Sequence, residues 1–373
     1  MSRVINKSLE AVAEYVTVGY VGPSSDYFCN DGVPFLRTGN VGTRQIIWSN
    51  LKQVVPEFHR KQKKSSLKTG DIVVSRVISD EVNAAVVPRE LDGANCGNVL
   101  VIRPGSELHP EYLVQLIGCP ASQRSLLGRQ VGSAQAVINT RVLREWEIPV
   151  LPLAEQRRIA EVLDRAEALR AKRRAALAQL DSLTQSLFLD LFGDPISNPR
   201  KWPQESLETF FHFRTGKLDS NAAVASGQYP FFTCSREDFR IDTFAFDCEA
   251  LLLAGNNASA DYSVKHYKGK FNAYQRTYVI TLRDEHNSYD YSRFVLEHRL
   301  AELKRISKGT NTKYLTMQLL NRIRVPVPPI ELQREFARRV TAVEKLKTAQ
   351  RASLAELDAL FATLQHRAFR GEL

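Results

Sequence analysis

Cysteine is scarce in this chain of 373 residues. The five present (Cys29, Cys96, Cys119, Cys234 and Cys248) are odd in number and widely spaced. No Cys-x-x-Cys pair occurs, which argues against a disulfide framework or a zinc site and for free thiols in a reducing cytoplasm. No run of eighteen apolar residues exists to span a membrane, and the opening MSRVINKSLEAVAEY has no apolar signal core, so neither a membrane partner nor secretion is expected. Catalytic signatures are missing too. There is no GxGxxG, Walker A, HExxH or PD-(D/E)xK motif, and no DPPY or NPPF tetrapeptide to grip a flipped adenine. The one Pro-Pro pair, Pro328-Pro329, precedes Ile330. His212 and His266 stand alone, so neither a metal ion nor a catalytic pair is expected, and any chemistry would have to come from partners.

What the chain does have is positive charge, +10 overall, and ordinary globular composition with 43% hydrophobic and 25% charged residues. Residues 1–150 carry 17 Lys and Arg against 14 Asp and Glu, and residues 200–327 carry 19 against 14. Segments 151–192 and 328–373 contribute only +1 and +2, so the excess belongs to the two intervening blocks. A basic globular block suits a polyanion such as nucleic acid, and a charge kept for solubility gives the same count.

The chain also writes one helix twice. At an offset of 177 residues, Pro149 aligns with Pro326, Gln156 with Gln333, Arg157 with Arg334, Leu180 with Leu357, Asp181 with Asp358 and Phe192 with Phe369. Seventeen of 44 positions match without a gap, which marks an internal duplication. Neither Ala154–Phe192 nor Glu331–Arg370 contains Pro or Gly, so each predicts one helix of about 60 Å, with prolines before its start and Gly193 or Gly371 at its stop. Heptad spacing predicts a pairing seam of Ile159, Val162, Ala166, Leu169, Leu177, Leu180, Leu183 and Leu187 in the first copy. In the second copy the seam is Phe336, Val343, Leu346, Leu354, Leu357, Leu360 and Leu364, with Arg173 and Gln350 as a polar site within it. A lone helix with one apolar stripe is marginal in water, and two matching ones can cover each other. Packing of each helix on its own block is the other solution.

The blocks share an outline. VPFLRT from Val33 resembles YPFFTC from Tyr229, the run KTGDIVVS from Lys68 resembles DCEALLLA from Asp247, and NVLVIR from Asn98 resembles TYVITL from Thr277. Gly132-Ser133 and Gly309-Thr310 also hold the offset. These β-rich runs, with helices expected over 111–118 and 290–305, predict a mixed sheet in each block.

A pair of variable blocks, each followed by a helix introduced by (I/V)P-x-x-P-(L/I)-x-x-Q, resembles the specificity subunit of a Type I restriction–modification system. The two introductions here are IPVLPLAEQ (Ile148–Gln156) and VPVPPIELQ (Val325–Gln333). LFLDLFGDP from Leu187, FRGEL at the C-terminus and GQYPFFTCS from Gly227 are similar to that family as well, and Leu332 departs from it where an acid is usual. The resemblance covers essentially the whole chain. It implies an α+β protein of two tandem mixed α/β target recognition domains, separated and followed by long helices that pair as an antiparallel coiled coil. The segmentation is 1–150 for the first recognition domain, 151–196 for the central helix, 197–327 for the second domain and 328–373 for the C-terminal helix. It further implies a non-catalytic subunit whose partners are double-stranded DNA with a bipartite target, two modification (methyltransferase) subunits using S-adenosylmethionine to methylate adenine N6, and restriction (translocase-nuclease) subunits. No cofactor is expected in this chain. A coiled-coil scaffold joining two protein-binding domains, without DNA, is the alternative reading.

Phosphate contacts position a protein on DNA and base-edge contacts specify the sequence. For phosphate the candidates are Arg60, Lys61, Lys63 and Lys64, then Lys265, Lys268 and Lys270. For base edges they are Arg37, Asn40, Arg44, Arg76, Arg129, Gln130 and Gln135 in the first block. In the second they are Ser235, Arg236, Asn256, Asn257, Arg276, Asn311 and Lys313.

Overall fold

A computed structural model describes residues 4–76, 80–128, 137–257, 262–307 and 313–373. The chain divides into two compact units, Met1–Arg173 with Ser353–Leu373, and Arg174–Ala352. Each unit therefore holds one recognition block and a stretch of both long helices, whereas the sequence segmentation sets the helices apart as segments of their own.

In the first unit the core lies under a four-stranded antiparallel sheet ordered Ala13–Val18, Val99–Pro104, Ile72–Ser75, Ala84–Val86. A second four-stranded sheet is ordered Phe28–Cys29, Lys52–Val54, Val33–Arg37, Asn95–Gly97, its last pair parallel. The runs Ile72–Ser75 and Val99–Leu100 read as unbroken apolar sequence because both faces of the sheet are covered. Helix α1 (Pro110–Ile117) closes one face with Tyr112, Leu113, Leu116 and Ile117. In the second unit one six-stranded sheet runs Phe211–Thr215, Thr277–Leu282, Phe246–Ala254, Val264–Ala273, Tyr229–Phe232, Phe239–Ile241. The long helices are α2 (Leu153–Phe192) and α4 (Ile330–Ala368), and α3 (Tyr289–Ile306) covers the second sheet as α1 covers the first. The stops hold as expected: Gly193 and Gly371 take φ of 76° and 70°, which L side chains rarely adopt.

The duplication is a duplicated joint. Ile5–Ser8 pairs with Glu147–Val150 in the first unit, and Gln204–Ser206 with Arg324–Pro326 in the second, so each block is tied off beside the strand that leads into its long helix. The Tyr112 hydroxyl donates to the Pro149 carbonyl at 2.8 Å, and that of Tyr291 to Pro326 at 2.7 Å. One turn into each helix sits a fully buried glutamine. Gln156 Oε1 accepts from the His109 amide, while its Nε2 donates to the Glu107 and Leu151 carbonyls. Gln333 Oε1 accepts from the Ser288 amide, and its Nε2 donates to the Pro328 carbonyl and to Asn287 Oδ1. That is the physical content of the repeated P-x-x-x-Q spelling. Leu332, where the resemblance leads one to expect an acid, lies partly buried against the second core.

Within each unit the helices run antiparallel. Arg170 on α2 meets Asp358 on α4 at 2.6 Å, and Arg158 reaches the Leu373 carbonyl. In the second unit Lys347 meets Asp181 at 2.8 Å, and Phe188 and Phe192 both pack edge-on to Phe336. The seam, however, is the predicted one only in part. Ile159, Phe336 and Val343 are buried, and Val162, Ala166, Leu177, Leu180, Leu187, Leu354, Leu357 and Leu364 are half-buried. Leu169, Leu183, Leu346 and Leu360 are 45–54% exposed. The inward column lies one residue later, at Leu163, Arg170, Leu177 and Thr184, and at Val340, Lys347, Leu354 and Phe361. Hydrophobicity alone chose the leucines, because this column contains two cations and a threonine. The polar site moves with it: Arg173 is exposed, and the enclosed cations are Arg170 and Lys347.

Two substitutions test the corrected seam. Leu360→Gln is expected to change stability by less than about 0.5 kcal/mol, whereas Phe361→Ala costs about 3 kcal/mol by urea unfolding. Gln333→Ala, which strands the Ser288 amide and the Pro328 carbonyl, is expected to cost about 2–3 kcal/mol in the same measurement.

Candidate nucleic-acid interface

Of the phosphate candidates of the first block, Arg60 and Lys61 stand on a short helix and Lys63 and Lys64 on the 3-10 turn that follows it. Helix Pro56–Lys61 is pinned by Phe58, 3% exposed, which packs between Tyr27 (ring centroids 4.6 Å apart), Tyr20 and Phe35. Its end is tied by Asn95, whose Nδ2 donates to the Gln62 carbonyl at 3.1 Å. Arg60, Lys61, Lys63 and Lys64 all project from this base into solvent. Lys61 shares an ion pair with Glu57 at 2.7 Å; that hydrogen bond raises the lysine pKa and lowers the carboxyl.

Three base-edge candidates are already engaged within the protein, two of them inside their own loop. Asn40, 2% exposed, accepts from the Arg37 amide and donates to the carbonyls of Ile47 and Ser49. Arg37 donates to the Asn50 carbonyl and lies over the Phe28 ring. Arg44, at φ 59°, turns away from the loop tip to meet Gln115 at 3.1 Å and Glu167 of α2 at 3.0 Å, with its guanidinium over Phe361. These residues shape the loop. Ile47 and Trp48 are its large apolar side chains left exposed, 37% and 52% accessible, and the sequence reading passed over both. Arg76 ends the central strand, half-buried, its carbonyl holding the Ile138 amide. Arg129, Gln130, Gln135 and Asn311 lie outside the described residues, as do Gly132-Ser133 and Gly309-Thr310.

In the second block, candidates far apart in sequence converge at one end of the six-stranded sheet. Asn256 and Asn257 leave the strand Phe246–Ala254 and form a short ladder with Tyr314 and Lys313. The Gly255 amide donates to the Arg276 carbonyl at 2.8 Å, the Leu315 amide to the Gly255 carbonyl at 2.8 Å, and the Cys234 thiol to the Arg276 carbonyl at 3.4 Å. Gly255 has the Arg276 carbonyl oxygen 2.3 Å from where a Cβ would stand, so only glycine allows this approach. Ser235, Arg236, Asn256, Arg276 and Lys313 thus share one rim with the exposed ring of Tyr314. The lysines of strand Val264–Ala273 differ in role. Lys265 is spent bracing this loop through the carbonyls of Arg236 and Glu237 and the Asp238 carboxylate. Lys268 and Lys270 are exposed, the first paired with Glu249 at 3.0 Å and the second over Phe244. His266 meets Glu249 at 2.9 Å and stacks on Tyr289. Among the described residues there is no cluster able to hold a metal ion, and no helix long and apolar enough to cross a membrane.

The frame that carries these loops has a known pattern. The model of the Type I restriction modification DNA specificity domain matches residues 6–179 and again 199–358, most of the chain and once per copy of the duplication. The chain belongs to that family. Among specificity-domain proteins it is 39% identical over 130 residues to the Type I restriction enzyme EcoDI specificity subunit of Escherichia coli, covering 35% of this chain and 28% of that one. It is 22% identical over 365 residues to the putative type I restriction enzyme MjaX specificity subunit of Methanocaldococcus jannaschii, covering 88% and 84%. The alignments to EcoDI and to the EcoBI specificity subunit span only 28% and 40% of those relatives. The fold is shared with the crystal structure of the S subunit from M. genitalium, at TM-score 0.65 and 14% identity over 99% of this chain and 96% of that one. It is shared too with a chain from a structure on complex assembly and conformational transition of the type I R-M system, at TM-score 0.58 and 18% identity over 99% and 98%.

The five thiols of this specificity-domain protein are free. Burial pushes that of Cys96, which donates to the Ser65 carbonyl, up to about 12 from 9.0. The folded pKa lies above the unfolded one, so this stabilisation is complete below pH 9 and is lost as pH rises through the folded value. Cys96 is accordingly expected to resist a disulfide-exchange reagent at pH 8 in the native chain and to react on unfolding, as read by mass spectrometry of the labelled peptide.

Proposed function

We propose that this chain is the non-catalytic, sequence-reading subunit of a Type I restriction–modification complex. Each recognition domain reads one half of a split DNA target, and the antiparallel helices set the unspecified gap between the halves. The observation that carries the reading is the duplicated joint. One chain carries the same joint of domain to helix twice, so it offers DNA two related domains that differ in their reading side chains. In the first domain Arg60, Lys61, Lys63 and Lys64 take phosphate, with the exposed edge of the Ile47-Trp48 loop beside candidate Arg76. In the second, Lys268 and Lys270 take phosphate and the rim of Ser235, Arg236, Asn256, Arg276 and Lys313 takes base edges. Arg37, Asn40, Arg44 and Lys265 act by holding those loops.

Chemistry comes from partners. Two modification subunits, carrying S-adenosylmethionine, dock on the helices and methylate adenine N6, and restriction subunits join them to translocate and cut. The docking reading is supported by the exposed leucines, since Leu169 and Leu183 recur as Leu346 and Leu360 at the 177-residue offset.

Methylome sequencing of a strain with and without this gene is expected to show adenine methylation lost at one bipartite motif. An unchanged pattern with the partner subunits expressed would favour the scaffold reading. In the assembled complex, Arg60→Gln/Lys63→Gln/Lys64→Gln is expected to lower the slope of log affinity against log salt by roughly 0.9 for each phosphate that is no longer neutralised, on any sequence. Exchanging residues 1–150 for a homologous block is expected to change one half of the motif and leave the other.

A further inference from the structure

An apolar heptad stripe does not choose its own register. Slide α2 along α4 by seven residues and Leu, Ile, Val and Ala positions again face their own kind. Two seam positions break this degeneracy. In the first unit Arg170 lies between Glu167, three residues back on its own helix, and Asp358 across the seam, under the Phe361 ring at 4.4 Å. In the second unit Lys347, 5% exposed, lies between Glu344, again three residues back, and Asp181 across the seam. The two triads map onto each other at the 177-residue offset with the helices exchanged. A one-heptad slip in one direction sets Arg170 against Gln365 and Lys347 against Phe188, and in the other sets them against Arg351 and Arg174. Either slip takes the carboxylate across the seam away, leaving each enclosed cation only the glutamate of its own helix or setting it against a second cation, a cost that the slip of the apolar stripe does not carry.

We infer that Arg170–Asp358 and Lys347–Asp181 are register locks that select one antiparallel alignment of the helices and are therefore specificity-determining for the gap length of the DNA target. The inference about the gap rests on the proposed spacer role; the inference about register does not.

The test uses the full-length chain, with nitroxides on ketone-bearing residues at the exposed positions 161 and 356, so native cysteines stay unlabelled. The unaltered chain is expected to give one inter-label distance. In Arg170→Leu/Asp358→Leu/Asp181→Leu/Lys347→Leu the distribution is expected to split, with populations displaced by one heptad, about 10 Å along the axis. A relocated lock gives the converse. Arg174→Asp/Asp181→Leu with Arg351→Asp/Asp358→Leu moves both carboxylates by seven residues and is expected to move the single distance to the slipped value. A single native distance in both variants would show that the domain-docked helix ends set register, and would overturn the inference. If the lock-free chain does not fold, the relocated variant decides alone. Loss of helical circular dichroism in both would make these charges stability elements only, and would overturn it too. In the assembled complex the relocated lock is expected to change the gap in the methylated motif. A displaced distance with an unchanged gap would leave the register lock standing and reject the spacer reading.

Discussion

Everything in this molecule that requires geometry passes through the buried glutamine one turn into each long helix. A domain joined to a helix through a Pro-rich linker would otherwise swing about that linker, and a swinging domain cannot be placed at a set distance from anything. Gln156 and Gln333 each satisfy three polar groups at once, two of them on backbone segments that precede α1 and α3 or the long helix itself. With the tyrosine hydroxyls of Tyr112 and Tyr291 on the adjoining proline carbonyls, the linker becomes part of the recognition domain's core. Because these groups are buried, releasing the helix would expose unpaired donors and acceptors, each worth about 1–3 kcal/mol. The joint is stiff for that reason, and it is built twice.

The repetition of Gln156 as Gln333 was legible in the sequence, because a duplication repeats what the fold cannot vary; their buried role was not. The helix spans, their glycine stops, the crossover helices and the β-rich runs each follow from local signals that hold regardless of tertiary context. The seam was not legible in the same way. A column of Leu163, Arg170, Leu177 and Thr184 scores worse as an apolar stripe than Val162, Leu169, Ala176 and Leu183, so hydrophobic counting picks the wrong one. It is settled instead by partners across the seam, Asp358 for Arg170 and Asp181 for Lys347, which no spacing within one helix can reveal.

The reading surface divides along the same line. Residue type predicts what a side chain is able to recognise, and says nothing of which way a loop turns it. Arg44 and Arg60 have the same chemistry. One is bent by a left-handed backbone toward Glu167 and Phe361, and the other stands free on a helix held by Phe58. Asn40 and Asn256 likewise part company: the first is consumed by three backbone bonds and the second opens a short ladder at a rim. The convergence of Ser235, Arg236, Asn256, Arg276 and Lys313 depends on Gly255, whose missing Cβ lets the Arg276 carbonyl come close.

The two copies have also diverged where they meet the helices, and the divergence is physically coherent. Phe361 fills the first seam, giving Arg170 and Arg44 an aromatic face to lie on. At the duplicated position in the second unit stands Thr184, whose hydroxyl turns back onto the Leu180 carbonyl of its own helix. The space opened there is a polar cavity of about 390 Å³ lined by Asp181, Lys347, Arg293, Glu297 and His298. A buried arginine can lean on a ring, while a lysine's compact ammonium has no such planar face and depends on its carboxylates. The first lock is therefore knitted into its recognition domain through Arg44 and Gln115, and the second is held by the helix pair's own Asp181 and Glu344. A chain that carries two related domains is then also one whose two joints answer differently to a disturbance. A shift in the loop carrying Arg44 is felt at the Glu167–Arg170–Asp358 triad, because they share a carboxylate. At Lys347 the neighbouring charges of the second domain are Arg293, Glu297 and His298, which line the cavity beside it.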